Sequence, residues 1–218
     1  MMKGLLIKDF KLMKGQKNFF FLVVLVSIGM PAFSGDATFM LGFLPFVLSM
    51  FTLSTISYDE FDNGNAFLFT LPVSRTGYAV EKYILALLLG GGAWVFATLL
   101  AVAFAVIKGT ANISEILMAA VLILPALIVI QALMIPFQLK FGSEKGRLAL
   151  IGAFGLLAVI GVVAVKAAEM LGIDLWELIG NLPAMGMGVM ITLLLLAAIL
   201  VLLTSMKISC SIMKGKEF

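Results

Sequence analysis

Asp59, Glu60, Asp62, Arg75, Glu81 and Lys82 stand together in one polar stretch, Ser57 to Tyr83, of an otherwise very apolar chain. A Gly64–Asn65 pair follows the acidic residues. Next comes an apolar patch, Ala66-Phe67-Leu68-Phe69, and a Leu71–Pro72 break. An acidic turn, a short apolar helix, a proline, Ser/Arg and a new helix start suit a docking element between two membrane spans. The same pattern also fits an ordinary solvated loop, and the residues alone leave both readings open. Pro72 ends whatever short helix precedes it.

Catalytic sets are missing elsewhere. Histidine is absent, which removes the commonest metal ligand and the usual proton shuttle at neutral pH. The single cysteine, Cys210, cannot form an internal disulfide. No G-x-x-x-x-G-K-[ST] stretch occurs: Gly90–Gly92 lie in an apolar segment and Gly142–Arg147 lacks the spacing. The chain therefore has no phosphate loop, and any ATP-driven step needs an ATPase on another polypeptide. The apolar segments hold almost no ionisable residue, apart from Lys166 and Glu169 near one end. That argues against a proton-driven carrier and against an intramembrane hydrolase. Gln131, Thr98, Thr192 and Ser27 are their main polar groups, and the expected role is helix–helix hydrogen bonding.

The elements that must position these residues are membrane helices. Of the 218 residues, 62% are hydrophobic and 12% charged, and mean hydropathy is +1.17. Soluble domains are nearer half apolar and a quarter charged. An all-α membrane protein follows. Residues 1–17 predict an amphipathic interfacial helix, with Leu5, Leu6, Phe10, Leu12 and Met13 on one broad side and five lysines around them. Six spans are predicted, at about 18–33, 38–57, 83–107, 116–139, 148–168 and 183–206. Pro31 should close the first, and Pro125 and Pro136 should kink the fourth. With both termini cytoplasmic, only Lys108 and Lys166 of the 15 Lys and Arg residues fall outside, a strong positive-inside bias. Residues 58–82 then form a cytoplasmic loop. The outer link 166–182 holds Asp174, Leu175, Trp176 and Glu177, which could form a short interfacial helix. Ala93, Ala97, Ala101 and Ala105 recur every four positions after Ala86 and Gly90. Gly152, Gly155 and Gly161 thin one side of the fifth span. Both patterns favour close helix packing, and the glycine side is a candidate for pairing with a second copy.

The whole chain resembles the membrane subunit of bacterial ATP-binding-cassette exporters of the type-2 permease class. The resemblance rests on the Leu5-Leu6…Lys8-Asp9-Phe10 start, the six spans, and the block Tyr58-Asp59-Glu60…Phe69-Thr70-Leu71-Pro72-Val73-Ser74-Arg75…Glu81-Lys82-Tyr83. That block looks like the small permeases that work with a separate ATPase, some of which export amphipathic or antimicrobial peptides. The resemblance implies a single permease domain in the bacterial plasma membrane, paired with a second permease copy and two ATPase subunits. It also implies a coupling helix within Asp59–Leu71 that sits in a groove of the ATPase. Tyr58, Asp59, Glu60, Asp62, Phe67, Phe69 and Arg75 are the coupling residues on this view. ATP and Mg would be held by the partner, no cofactor by this chain, and no catalytic residue is carried over. No nucleic acid is expected, and membrane lipid is the surrounding medium. Two other readings are a secondary carrier or channel, and a membrane scaffold or immunity protein that sequesters a peptide.

Overall fold

The computed structural model describes residues 2–61, 64–109, 113–170 and 186–216, and these are helical almost throughout. Helix α1 is Met2–Gly15, α2 Lys17–Ser34, α3 Thr38–Glu60, α4 Gly64–Leu68, α5 Arg75–Lys108, α6 Ile113–Met170 and α7 Met187–Gly215. Five helical stretches are long and apolar enough to cross a membrane: α2, α3, α5, the Ile113–Gly142 arm of α6, and α7. The protein is a multi-pass membrane protein. The expected span at 148–168 falls in the second arm of α6, which stays helical from 143 to 170. The outer link around Asp174–Glu177 lies outside the described residues.

Local chemistry sets the helix ends. Gly35 (φ 77°) closes α2 and donates its N–H to the Pro31 carbonyl at 2.8 Å. Asp36 then caps α3, accepting from the Thr38 amide at 2.9 Å and from the Thr38 hydroxyl. Those two bonds hold the Asp36 carboxyl below its ordinary range. Ser74 caps α5 by accepting from the Gly77 N–H at 3.1 Å, and Gly109 (φ 63°) ends it. A left-handed residue at the helix end is where glycine has no side-chain penalty.

Several boundaries differ from expectation. Pro31 does not close α2, which continues to Ser34. Pro125 and Pro136 leave α6 helical, and its break falls at Gly142 (φ 77°, ψ −177°). That backbone region is essentially glycine-only. At about 1.5 Å per residue the 58 residues of α6 would run to ~87 Å, against a bilayer core of ~30 Å. The break at Gly142 divides that length into two arms. Helix α5 starts eight residues before the expected third span, so Glu81 and Lys82 belong to the span helix rather than to a loop.

Helix α5 packs against α1, α3, α6 and α7. Its alanines Ala86, Ala93, Ala97, Ala101 and Ala105 are all buried, as is Gly90. Ala97 meets Val23 of α2 and Leu44 of α3, while Ala101 and Ala105 meet Met40, Leu41, Ile116 and Ala120. A Cβ on Gly90 would come 3.1 Å from the Cβ of Ser49. The packing role expected of this stripe holds. Small residues let α3 and α5 approach closely where lipid supplies no hydrophobic drive between helices.

The expected hydrogen bonds fall on other residues. Thr98 and Thr192 donate back to Trp94 and Gly188 of their own helices. Ser27 and Gln131 are buried without a hydrogen-bond partner among the described residues. Links between helices come instead from residues such as Trp94, whose Nε1 donates to the Ala120 carbonyl at 2.8 Å, and Tyr83, whose hydroxyl lies 2.6 Å from Ser205 Oγ and 2.8 Å from Ser209 Oγ. Ser205 in turn donates to the Ala132 carbonyl. Pro136 has no N–H to offer that carbonyl, so a hydroxyl from α7 takes its place.

Candidate functional site

Residues from α1, α3, α5, α6 and α7 converge at one end of the bundle. Leu5, Ile56, Leu68, Tyr78, Tyr83, Ile135, Leu139 and Met213 form an apolar cluster there. A charged junction adjoins it. Lys82 is fully buried, and its Nζ lies 2.5 Å from Asp9 Oδ2, 3.0 Å from Asp59 Oδ2 and 3.5 Å from Glu81 Oε2. It also donates to Thr55 Oγ1 at 3.0 Å and stands 4.9 Å from the Tyr78 ring centre. Lys8 bridges Asp9 at 3.2 Å and bonds Asp59. The Tyr78 hydroxyl donates to Asp59 Oδ2 at 3.0 Å. Three carboxylates thus surround one ammonium out of water, with a second ammonium at the edge. Charges this buried persist only where they are paired, and Glu81 is held by ion pairing alone, with neither oxygen hydrogen-bonded among the described residues.

A second set of bonds ties in the end of α7. Lys216 Nζ lies 3.3 Å from Glu60 Oε1 and donates to the Leu139 carbonyl at 3.1 Å. Arg75 donates to the Lys216 carbonyl at 2.5 Å and to that of Lys214 at 3.5 Å. Gly142 lies so close that a Cβ there would come 3.3 Å from Glu60 Oε2. Gln138 donates to Ser57 Oγ at 3.0 Å and Gln16 to the Tyr58 hydroxyl at 2.5 Å.

The residues singled out from the sequence therefore divide. Asp59, Glu60 and Arg75 are engaged by the chain's own α1, α5 and α7, where opposite charges and free carbonyls meet them. Asp62 lies outside the described residues. The aromatic pair splits: Phe69 packs edge-on to Tyr78 at 5.7 Å, whereas Phe67 on α4 is 71% exposed. Phe61 is 78% exposed, and Leu71 and Tyr58 are exposed as well. Gly152 and Gly155 are exposed with open space around them, and Gly161 lies in the same arm of α6. Among the described residues no group of three His, Cys, Asp or Glu is arranged to hold a metal ion.

Sequence reasoning missed Asp9, Glu81 and Lys82 as buried groups. A signal existed for Asp9. At 100° per residue it lies between Leu5, Leu12 and Met13, in the middle of the apolar arc of α1. In the structure Leu5 and Asp9 are the buried residues of that helix, while Phe10 is exposed.

No curated protein sequence and no solved structure matches the chain. A family model described as "ABC-2 family transporter protein" matches residues 4–214, nearly the whole length. A multi-pass helical chain, matched from its first helix to the end of its last, belongs to the ABC-2 transporter family.

Proposed function

We propose that this chain is the six-span transmembrane subunit of an ATP-driven exporter for an amphipathic or hydrophobic substrate, with a peptide as one such cargo. Two copies, or one copy and a similar permease, form the pathway in a bacterial plasma membrane. Two separate ATPase subunits bind ATP and Mg and supply the energy. The junction end faces the cytoplasm, as the basic bias of the loops requires. The single observation that carries the coupling role is Phe67, held out on the five-residue α4 between two span helices. Phe67, like Phe61 and Leu71 in the same loop region, leaves apolar surface that needs a cover. An aromatic anchor in a partner groove is the usual form of such a cover.

Transmission follows from the bonds behind α4. When nucleotide closes the ATPases, a seated α4 moves with them. Helices α3 and α5, which flank α4, are joined to α1 by the Lys82–Asp9–Asp59 contacts and to α7 by Arg75 and Glu60. They move as a unit rather than bending separately. Nucleotide shifts the equilibrium only through contacts that differ between the two states.

The test is co-purification of the partner ATPase with Phe67→Ala and Phe61→Ala variants. Normal membrane levels with lost ATPase association are expected. Full association and normal substrate-stimulated hydrolysis in both variants would refute the coupling role.

A further inference from the structure

We propose that the cleft between the first arm of α6 and α7 is a binding site for one anionic phospholipid of the adjoining leaflet. The cleft has a volume of about 460 Å³. Leu133, Pro136 and Phe137 form one wall, Val201, Ile208 and Ile212 the other, and Lys140 lines the end nearest Gly142. Along α6 it extends from Ala132 to Phe141, about 14 Å at 1.5 Å per residue. One leaflet of a bilayer core is about 15 Å deep, so the slot is as long as an acyl chain lying in it.

The walls offer that chain no unsatisfied polar group. Thr204 donates to the Leu200 carbonyl of its own helix at 3.0 Å. Ser205 is engaged by Ala132 and Tyr83. Phe141 and Ile208 are exposed at the rim, so the slot opens sideways, where acyl chains are. The mouth is different. The Lys140 ammonium stands 5.2 Å from the Phe141 ring centre, and among the described residues no carboxylate pairs with it. Lysine stems lie along apolar surface while their heads reach the headgroup level. A cation above an acyl-length apolar slot selects a negative headgroup over a neutral one. The site does not depend on the transport reading.

The chain would be reconstituted in vesicles of equal phosphatidylglycerol and phosphatidylcholine, released in mild detergent and weighed by native mass spectrometry. One phosphatidylglycerol should stay bound per chain, preferred about fivefold over phosphatidylcholine, which corresponds to the ~1 kcal/mol of one lysine at an anionic surface. Lys140→Arg should keep that preference and Lys140→Gln should lose it. Thr204→Trp, filling the slot from a position already exposed on α7, should remove the retained lipid while the size-exclusion profile stays that of the parent. Inorganic phosphate should not displace the lipid. Equal retention of both lipids by the parent would overturn the site, as would an unchanged preference in Lys140→Gln, displacement by phosphate, or an unchanged lipid count in Thr204→Trp. So would efficient self-cross-linking of Thr204→Cys in a Cys210→Ser background, which would mean that a second copy fills the cleft.

Discussion

Replacing Lys82 by methionine keeps most of the apolar stem and removes an ammonium that is fully buried among three carboxylates. Its contacts at 2.5, 3.0 and 3.5 Å each correspond to an attraction of about 5–7 kcal/mol at an effective dielectric of about 20. Most of that is offset by the cost of taking the charges out of water. What the substitution leaves behind decides the outcome. Asp9 and Glu81 remain buried, with Lys8, which is 35% exposed, as the one nearby cation. Breaking such a set from one side typically costs about 3–5 kcal/mol. For a chain of this size each kcal/mol shifts the midpoint by about 2–4 °C, so Lys82→Met should melt about 6–20 °C lower. The readout is the loss of monodisperse protein on heating in detergent, followed by fluorescence-detected size exclusion. Asp9→Leu added to Lys82→Met should recover at least ~1.5 kcal/mol of that loss, because it removes one of the two buried carboxylates left behind. A single variant within about 2 °C of the parent would refute the reasoning. So would a double variant no better than the single one, which would mean that the two groups do not act together.

Four further outcomes are expected. Gly142→Ala should destabilise by about 1–3 kcal/mol, since it forces a side chain into a glycine-only backbone region, and the same heating assay reads it. Ala101→Leu should cost about 1–3 kcal/mol by overpacking the α3–α5–α6 contact, whereas Leu99→Ala, on an exposed position of α5, should cost much less. In a Cys210→Ser background, a membrane-impermeant thiol reagent applied outside should label Ser34→Cys and miss Ala66→Cys; labelling of Ala66→Cys alone would invert the proposed orientation. Phe67→Ala should weaken ATPase association by about 2 kcal/mol or more, roughly thirtyfold in Kd, and a titration showing no change would remove α4 from the docking surface.

The alanine stripe of α5 was legible because small residues at a spacing of four have few uses in a membrane helix other than close packing. Five of the six expected spans coincide with helices long and apolar enough to cross a membrane, and family membership bears out the coarse resemblance to a transporter's membrane subunit. The charged junction was not legible. Asp59, Glu81 and Lys82 are 51, 73 and 74 positions or so from Lys8, and no local pattern says which charge of a polar stretch turns inward. Only tertiary placement of α1 against α3 and α5 decides it. Pro31, expected to close its span, lies inside α2 instead, and Pro136 lies inside helical α6. A missing N–H matters only if its carbonyl stays unpaired, and at Ala132 a serine from another helix supplies the donor. Helix ends set by Ser74, Gly35 and Gly109 follow ordinary capping chemistry.

The split between Phe67 and Phe69 bears on how a five-residue helix could transmit force. A short helix has little stability of its own, because its nucleus is costly. Its position must come from what lies behind it. Leu68 is buried in the end cluster with Tyr78, Phe69 packs on the same tyrosine, and Tyr78 is bonded to Asp59. One face of α4 is thus anchored on the roots of α3 and α5, and Phe67 is carried on the other. On the proposed docking, Phe67 and Phe69 have separate tasks. Phe67→Ala should reduce association and leave the fold intact. Phe69→Ala should lower the melting midpoint as well, since it removes packing against Tyr78. It should also weaken the stimulation of hydrolysis by substrate more than it weakens association, because α4 would still bind but would no longer be rigidly joined to the spans. Equal effects of the two variants on association, with no difference in midpoint, would show that α4 acts as one undivided surface and that its anchoring on Tyr78 plays no part.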